Sequence, residues 1–509
     1  MSSRKPFYIT TAIPYVNAEL HIGHGLLFLY ADVMARFQRL SGCEVVFLTG
    51  TDEHGQKIAQ KAEEVGKSPQ AFVDEMSESA RNLLETFGIS NTDFVRTTEA
   101  RHRAAVEAFW KRVMDRGWIY KKRYGGLYCV GCEQFKTEKD LVDGLCPDHK
   151  VKPNYIEEEN YFFKQSAFKE QLMQLYASRP DFVIPEHRFN EMKSFVAQLE
   201  DISISRSVEH LTWGIPVPGD SSQVIYVWFD ALINYLTGCG FGTDEARYER
   251  FWPSATHVIG KEINRFHSVL WVAMLMAAEL PVPHQIAVHG WITVEGQKMS
   301  KTIGNVLYPT QLRDRFTLDG TRYLLMREFP FDGDGDYSDA RMRARYEADL
   351  ANTLGNLVYR VTSMLEKYRA GVVPAKAEGD FTTEWTSYTA LMHAWKFDQA
   401  LEVAWTMLRG ANQYVDVEKP WSLAKAGEDA RLDEVLYRLL ETIRQAAWMI
   451  RPFMPNISDQ ILEQLQQGDA ESRETQTIES VSVWGVLEAG SKVATTSPLF
   501  PRLDTEISS

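Results

Sequence analysis

Two short motifs carry side chains suited to phosphate chemistry, and the first is His21-Ile22-Gly23-His24. It follows a β-prone run and precedes an apolar helical stretch, so we expect it at a helix N-terminus. Such a terminus presents unpaired backbone N–H groups and a partial positive charge, which stabilise a bound phosphate. Gly23 allows close approach, and the imidazoles of His21 and His24 add hydrogen-bond donors. The alternative is a capped helix start that contains two incidental histidines.

The second motif is the glycine-flanked segment GQKMSKTIGN at positions 296–305. It places Lys298 and Lys301 three residues apart, with the hydroxyl of Ser300 between them. Two ammonium groups in such a loop could clamp a triphosphate and neutralise the charge that builds on departing pyrophosphate. Taken alone, this pattern is more typical of a solvated surface loop.

Three of the five cysteines and one histidine lie within one short segment, which suggests a metal site. Cys129 and Cys132 form one pair, thirteen residues follow, and Cys146 and His149 form the second pair. Three thiolates and one imidazole fill a tetrahedron, which is typical of a closed structural zinc site. Buried cysteines without metal are the alternative. We predict one structural Zn²⁺ that supports the folding of this segment.

The elements that must position the two phosphate motifs belong to a parallel α/β sheet. Residues 7–10 and 44–50 are apolar runs on either side of the first motif and its helix. Further buried-strand runs follow at 256–260 and 285–290, so the sheet is split by an insertion. Parallel sheets bind ligands at the carboxyl ends of their strands, where both motifs are expected.

The rest of the chain contains two segments with different residue composition and spacing. Residues 116–225 contain the cysteine cluster and short β-like runs, and we predict an inserted domain there. From about residue 345 glycine is sparse and apolar residues recur with helical spacing, as in 436–450, which indicates a helical bundle. The fold class is therefore α/β plus all-α.

Composition limits the cellular setting and the partners. The chain has 509 residues, 44% of them hydrophobic, and a net charge of −14. It has no apolar run of the ~18 residues that cross a bilayer and no N-terminal leader pattern, so we expect a cytoplasmic chain without a membrane partner. Five cysteines are too few for a disulfide scaffold. The acidic balance argues weakly against a polyanionic partner.

Together the motifs resemble the signature of the class I aminoacyl-tRNA synthetases. Within that class the chain resembles the methionyl-tRNA synthetase family along nearly its whole length, and specifically the bacterial type with a single zinc knuckle and no C-terminal dimerisation domain. One departure is Thr302, where the family usually has Ser; it keeps the hydroxyl. The segments that carry the resemblance are AIPYVNAELHIGH, LTGTDEHG, the cysteine knuckle, VWFDALINYL, IGKEINRFHS, KMSKT and ANTLGNLVYR.

The resemblance implies ATP-dependent ligation of L-methionine to tRNA(Met) through methionyl-adenylate, with Mg²⁺ accompanying ATP. His21, Gly23, His24, Lys298, Ser300 and Lys301 would bind ATP, and the two histidines and two lysines would be catalytic. Asp52 would pair with the α-ammonium group of methionine, or could instead cap the following helix. A thioether favours apolar and aromatic surroundings. The family pattern places around it Ile13, Tyr15, Trp228, Ala231, Tyr235, Ile263, Phe266 and His267.

The same resemblance implies that the helical half binds the CAU anticodon of initiator and elongator tRNA. Asn352, Asn356 and Arg360 recur every four residues and would share a helix face, while Trp421 would stack on a base. Without the family match, a solvated helix and a core tryptophan are the better interpretation. A monomer is expected. The implied domains are a catalytic domain at 1–115 and 226–325, the knuckle insertion at 116–225, a stem-contact connector at 326–350, the anticodon domain at 351–465 and a tail at 466–509.

Two other functions share part of this pattern. A non-catalytic tRNA-binding paralogue would usually lose one phosphate motif, and both are present. A small-molecule nucleotidylyltransferase would have no use for the long helical half. One further pattern, Asp332-Gly-Asp334-Gly-Asp336, begins like a calcium loop, but Arg343 occupies the position that needs a bidentate glutamate. We predict a charged turn in the connector instead.

Overall fold

The computed structural model describes residues 4–131, 134–136, 138–147, 150–299, 304–494 and 498–503. Strands and helices alternate in the first part of the chain, as the sequence predicts. In order they are β1 (Pro6–Thr11), α1 (Ile22–Leu40), β2 (Glu44–Thr51), α2 (Gln56–Glu64), α3 (Pro69–Thr86), β3 (Asp93–Arg96) and α4 (Ala100–Asp115).

The middle segment is largely antiparallel. Its elements are β4 (Ile119–Cys129), β5 (Gln134–Lys136), β6 (Asn154–Phe163), α5 (Lys169–Ser178), β7 (Val183–Ile184), α6 (Glu186–Val196), β8 (Ile202–Ser203), β9 (Ser205–Ser207), β10 (Pro216–Val217) and β11 (Asp220–Ile225). Strands β4 and β6 pair over ten residues, from Ile119 opposite Phe163 to Tyr128 opposite Asn154. Their sheet has the order β5-β4-β6-β8, and a second sheet has the order β10-β11-β9.

The chain then returns to the first layer. The elements are α7 (Val227–Ala231), α8 (Asn234–Cys239), α9 (Glu245–Phe251), β12 (Thr256–Gly260), a π-helical segment (Phe266–Trp271), α10 (Val272–Ala277), β13 (Gln285–His289), β14 (Ile292–Val294), β15 (Gln297–Lys298), α11 (Pro309–Phe316), α12 (Leu318–Glu328), β16 (Gly335–Tyr337) and α13 (Asp339–Arg345).

The central sheet is parallel throughout and has the order β3-β2-β1-β12-β13-β7. The predicted split parallel sheet is therefore confirmed. One difference concerns β7, which lies within the predicted insertion at 116–225 yet pairs with β13 at the sheet edge. The insertion is thus not wholly separate from the central sheet, and a two-residue strand has too little pattern to reveal this from sequence.

The helical half is confirmed as well. A π-helical segment (Tyr346–Gly355) leads into α14 (Asn356–Arg369), α15 (Thr382–His393), α16 (Phe397–Glu418), α17 (Pro420–Ala426), α18 (Asp429–Ile450), α19 (Pro455–Gln464), α20 (Ala470–Glu474) and α21 (Ile478–Val481). The apolar stripe of α18 is buried, including Leu436, Leu440 and Ile443. No helix in the described part of the chain is long and apolar enough to cross a bilayer.

Helix α1 is buried on nearly all sides because it lies between the sheet and the helical half. The ring of Phe37 contacts the edge of His393 on α15, with centroids 5.0 Å apart. Arg322 on α12 is fully buried and bonds Asp32 Oδ2 at 2.6 Å and the carbonyl of Phe453 at 2.7 Å. These contacts join the region around the central sheet to the helical half.

Candidate active site

The loops that carry the predicted chemistry all leave the same edge of the central sheet. The His21 motif follows β1, Asp52 directly follows β2, and the segment of Ile263 to His267 follows β12. The lysine motif follows β13. Because these strands are parallel, their carboxyl ends lie side by side, where α/β folds bind ligands. The fold therefore gathers the sequence motifs at one edge.

Hydrogen bonds at the N-terminus of α1 determine which ring nitrogen carries the proton in each motif histidine. His21 is the N-cap, and its Nδ1 accepts from Gly23 N–H at 3.1 Å. The Nδ1 atom of His24 accepts from His21 N–H at 3.2 Å. A ring nitrogen that accepts a hydrogen bond carries no proton, so the proton of each neutral ring lies on Nε2. Burial, followed by electrostatic interaction with the adjacent His21 ring, lowers the pKa of His24 to about 3, so His24 is a neutral donor at pH 7.

Met299, a described residue of the lysine motif, lies near this helix terminus. A Cβ atom at Gly23 would meet His21 Cε1 at 2.9 Å and Met299 Cε at 3.8 Å. On the far side of the loop, Leu307 accepts from Ile22 N–H at 2.9 Å. Residues on both sides of the lysine loop thus contact the histidine motif, and Gly23 leaves room for that approach.

Only part of the lysine motif itself is described. Lys298 ends β15 and pairs with Thr293 of β14, while its side chain is not described. Ser300 and Lys301 lie outside the described residues. Their predicted role in binding phosphates stays a prediction.

Two aspartates outside the predicted site hold the hairpin that carries the lysine motif. Asp336 Oδ1 accepts from Thr293 Oγ1 and from Gly296 N–H, each at 2.7 Å. Asp334 accepts from Trp291 N–H at 2.9 Å and pairs with Lys261. The sequence predicts only a charged turn here. The repeated aspartates were the available signal, but their partners lie about forty residues away.

The segments after β1 and β2 run side by side at the predicted methionine pocket. Asp52 N–H donates to Pro14 at 2.9 Å, and Val16 N–H donates to Asp52 at 3.2 Å. These bonds flank Tyr15, which lies opposite Asp52, and Ile13 precedes them by one residue; both side chains are partly buried. Three predicted pocket residues from the first half of the sheet are therefore adjacent in space.

The aromatic part of the pocket comes from the second half of the sheet. Trp228 stacks on Phe266 with ring centroids 3.9 Å apart and planes inclined by 5°. Trp228 also faces the edge of His267 at 6.2 Å. Ala231 and Tyr235 follow Trp228 at helical spacing and are buried. These side chains form an apolar, aromatic surface of the kind that suits a thioether.

His267 is neutral and its hydrogen bonds are fixed. Its Nδ1 donates to the carbonyl of Ile263 at 3.0 Å, because a carbonyl can only accept. Nε2 therefore accepts, and Tyr235 OH donates to it at 2.7 Å. Burial lowers the pKa of His267 to about 4. Tyr235 and His267 thus form a neutral polar pair, and both nitrogens of the His267 ring have hydrogen-bond partners within the protein.

The candidate zinc knuckle is half described. Cys129 ends β4 and Cys146 lies in a tight turn; both are buried. In that turn Cys146 N–H donates to Val151 at 2.9 Å and Lys150 N–H donates to Cys146 at 2.8 Å. Cys132 and His149 lie outside the described residues. Among those that are described, no three potential ligands meet, so the predicted site stays a prediction.

The predicted anticodon residues lie on the exposed surface of the helical half. Asn352 and Asn356 are exposed, and Arg360 Nη2 bonds Asp416 Oδ1 at 3.0 Å. Trp421 is 45% exposed at the start of α17, so it is not a core residue. The sequence predicts that Asn352, Asn356 and Arg360 share one helix face at α-helical spacing, whereas residues 346–355 are π-helical and Asn356 begins α14. Asn352 and Asn356 are both exposed despite that change of pitch.

Comparison with known proteins supports one family. The family described as tRNA synthetases class I (M) matches residues 7–155 and 149–362, and the anticodon binding domain of methionyl tRNA ligase matches residues 369–508. Relatives named methionine--tRNA ligase from Thermotoga maritima and Rickettsia felis are 41% and 40% identical to this chain. The alignments cover 98% and 99% of this chain, and 81% and 100% of the relatives.

A solved structure from the same family is also similar to this chain. Mycobacterium tuberculosis methionyl-tRNA synthetase in complex with methionyl-adenylate superposes with a TM-score of 0.91 at 40% identity. The match covers 98% of this chain and 100% of that protein. With the shared fold, the paired phosphate motifs and this similarity over almost the full length, the chain belongs to the methionyl-tRNA synthetase family of class I aminoacyl-tRNA synthetases.

Proposed function

We propose that the chain ligates L-methionine to tRNA(Met) in two steps, through methionyl-adenylate, for translation initiation and elongation. The observation that carries this proposal is the meeting of a phosphate-binding helix terminus and a neutral aromatic pocket at one sheet edge. The related M. tuberculosis enzyme binds methionyl-adenylate, which supports the same intermediate here. The reaction takes place in the cytoplasm, where tRNA is charged.

In the first step the carboxylate of methionine attacks the α-phosphate of ATP and pyrophosphate leaves. Little acid–base chemistry is needed, so positioning and charge neutralisation lower the barrier. His21 and His24 donate from Nε2 to the α-phosphate, and Gly23 admits it to the helix terminus. Mg²⁺ bound with ATP neutralises phosphate charge. Lys298, Ser300 and Lys301 bind the β- and γ-phosphates.

Methionine is recognised by charge at one end and by shape at the other. Asp52 pairs with the α-ammonium group. The thioether lies among apolar and aromatic side chains, with the Tyr235–His267 pair as its polar neighbour. Because that pair is neutral, a charged side chain would lose hydration without gaining a partner. The residues proposed to line this pocket are Ile13, Tyr15, Trp228, Ala231, Tyr235, Ile263, Phe266 and His267.

In the second step a hydroxyl of the terminal adenosine of tRNA attacks the carbonyl carbon of methionyl-adenylate, the acyl-phosphate bond breaks and AMP leaves. The helical half selects the tRNA. Trp421 presents an exposed indole on which an unpaired anticodon base stacks. Asn352, Asn356 and Arg360 supply hydrogen bonds to base edges. Helix α14 packs against α17, which brings these side chains to neighbouring elements.

One structural Zn²⁺ completes the proposal, held by Cys129, Cys132, Cys146 and His149. The buried thiols of Cys129 and Cys146 and the tight turn after Cys146 suit a closed knuckle. Four protein ligands leave no open position, so the metal supports folding of the insertion. Metal analysis of the purified protein should find close to one zinc per chain. The chain acts as a monomer, which sedimentation would test.

Methionine-dependent exchange of pyrophosphate into ATP tests the first step. The full-length chain should catalyse this exchange with methionine and not with leucine or cysteine. Exchange that does not depend on methionine would contradict the proposal.

A further inference from the structure

A buried carboxylate joins the chain segments that carry the two halves of the proposed methionine pocket. Asp230 on α7 has no solvent exposure. Its Oδ2 lies 2.6 Å from His54 Nδ1, and its Oδ1 lies 2.8 Å from His102 Nε2. His54 follows β2 and His102 belongs to α4, and both rings are buried. Three elements that are distant in sequence therefore meet at this one side chain.

The hydrogen bonds of this group are strong and directional. An ionised carboxylate only accepts, so both imidazoles donate to Asp230. Burial alone would raise the pKa of Asp230, but the neighbouring charges and hydrogen bonds of His54 and His102 bring it below its usual value. His102 Nδ1 also bonds Thr237 Oγ1 at 3.0 Å. Asp230 is thus held ionised between two donors.

Asp230 and its two histidines lie next to residues that are proposed to bind methionine, and not next to those proposed to bind ATP. His54 is two residues from Asp52, which is proposed to bind the α-ammonium group. Asp230 lies between Trp228 and Ala231, which are proposed to contact the thioether. The two pocket halves come from opposite sides of the insertion, and Asp230 bonds directly across that junction.

We propose that Asp230 is a positioning residue for methionine: its bonds to His54 and His102 hold the Asp52 loop and the Trp228 helix at the separation that methionine needs. This inference rests on the proposed function. Asp230 does not touch substrate itself. Displacement of reacting or binding groups by about 1 Å can cost 100-fold in rate, so the loss of this bridge would be measurable.

A purely structural role is the competing explanation, and Asp32 provides a matched control. Asp32 is also fully buried and pairs with two cations, Arg36 at 2.8 Å and Arg322 at 2.6 Å. It lies in the junction with the helical half and contacts no proposed pocket residue. Asp32→Asn and Asp230→Asn therefore each weaken the hydrogen bonds around one buried carboxylate, in different places.

The experiment is steady-state ATP–pyrophosphate exchange with the full-length chain. Asp230→Asn should raise KM for methionine about tenfold or more while KM for ATP stays within about twofold. Asp32→Asn should lower the denaturation midpoint and leave KM for methionine within about twofold. Equal rises in both KM values for Asp230→Asn, or the same methionine effect in Asp32→Asn, would overturn the inference.

Two variants at His102 keep the test decisive if Asp230→Asn does not fold. In His102→Gln the amide nitrogen reaches the place of Nε2 and still donates to Asp230, whereas His102→Ala has no donor. KM for methionine should stay near the wild-type value in His102→Gln and rise in His102→Ala. Equal KM values in the two variants would refute the positioning role. A wild-type chain without methionine-dependent exchange would instead refute the proposed function.

Discussion

The two nitrogens of His24 have separate tasks. Nδ1 accepts from the backbone N–H of His21 and so helps to cap α1. Nε2 carries the proton and is the atom that can donate to a phosphate. Because burial lowers its pKa to about 3, we expect His24 to act through a hydrogen bond and not through a positive charge.

Two substitutions separate these tasks. His24→Asn keeps an acceptor in the place of Nδ1 but has no donor near Nε2, and it should lower kcat for exchange about 100-fold or more. His24→Gln places an amide N–H near Nε2 and should lose less activity. Exchange kinetics of the two variants would check this. Equal losses, or a loss confined to KM for methionine, would contradict the donor role.

The neutral state of His267 makes stability depend on pH. Its pKa is about 4 in the folded chain, whereas an unperturbed histidine has a pKa near 6.5. Between these values the unfolded chain binds the additional proton, so the free energy of unfolding falls as pH falls. From pH 7 to pH 5 this one side chain should remove about 2 kcal/mol.

Urea denaturation of wild type and His267→Gln at the two pH values would measure this contribution. His24 and His257 have lowered pKa values for the same reason, so wild type should lose more stability than His267 alone explains. The variant should lose about 2 kcal/mol less than wild type. Identical pH dependence in the two proteins would show that His267 is not neutral in the folded state.

At the scale of elements, the hairpin of β14 and β15 depends on Asp336. One oxygen of that side chain accepts from both Thr293 and Gly296, which sets the turn before the lysine motif. Those two hydrogen bonds also hold the pKa of Asp336 below its usual value. The hairpin therefore positions the lysine loop through a residue that follows it by about forty positions.

Asp336→Ala should slow adenylate formation and leave methionine binding unchanged, because only the lysine loop loses its support. Asp336→Asn keeps an oxygen acceptor in the same place and should exchange at nearly the wild-type rate. Single-turnover adenylation together with methionine titration would check both variants. Impaired methionine binding in Asp336→Ala would contradict the assignment of this hairpin to the ATP side.

The limits of sequence interpretation are clear at this scale. The strands at 256–260 and 285–290 could be predicted because apolar runs of that length recur in buried parallel sheets. The edge strand Val183–Ile184 could not, since two residues carry no periodicity. The π-helical pitch of residues 346–355 could not be predicted either, because local composition does not distinguish α-helical from π-helical pitch.

The candidate site also contains residues that could be predicted from sequence and residues that could not. The histidine and lysine motifs are local patterns that can be read directly from the sequence, and Met299 of the second motif lies near Gly23 of the first. Asp336 and the Asp230 group could not be predicted, because their partners lie about forty to more than a hundred residues away in sequence. Such bonds depend on the tertiary fold and leave no local signature.

At the scale of the whole molecule, the net charge of −14 is a poor guide to the partner. Charge averaged over the chain does not describe a local RNA-binding surface. Trp421 and the asparagines of the helical half are exposed, and in our proposal they would supply stacking and hydrogen bonds instead of bulk positive charge. Selection of tRNA should then rest on a few base contacts far from the catalytic edge.

Trp421→Ala tests this separation of tasks. Loss of one stacked base costs about 1–3 kcal/mol, so tRNA charging at low tRNA concentration should fall about 10- to 100-fold. Exchange of pyrophosphate should be nearly unchanged, since the first step does not involve tRNA. Trp421→Phe keeps an aromatic face and should charge tRNA better than Trp421→Ala. An equal fall of charging and exchange in Trp421→Ala would contradict the anticodon role.

The most direct test of the central claim is the transfer of labelled methionine to tRNA by the full-length chain. With ATP present, the chain should charge tRNA(Met) and should charge poorly the same tRNA in which the CAU anticodon has been replaced. Equal charging of both, or no charging of tRNA(Met), would contradict the account.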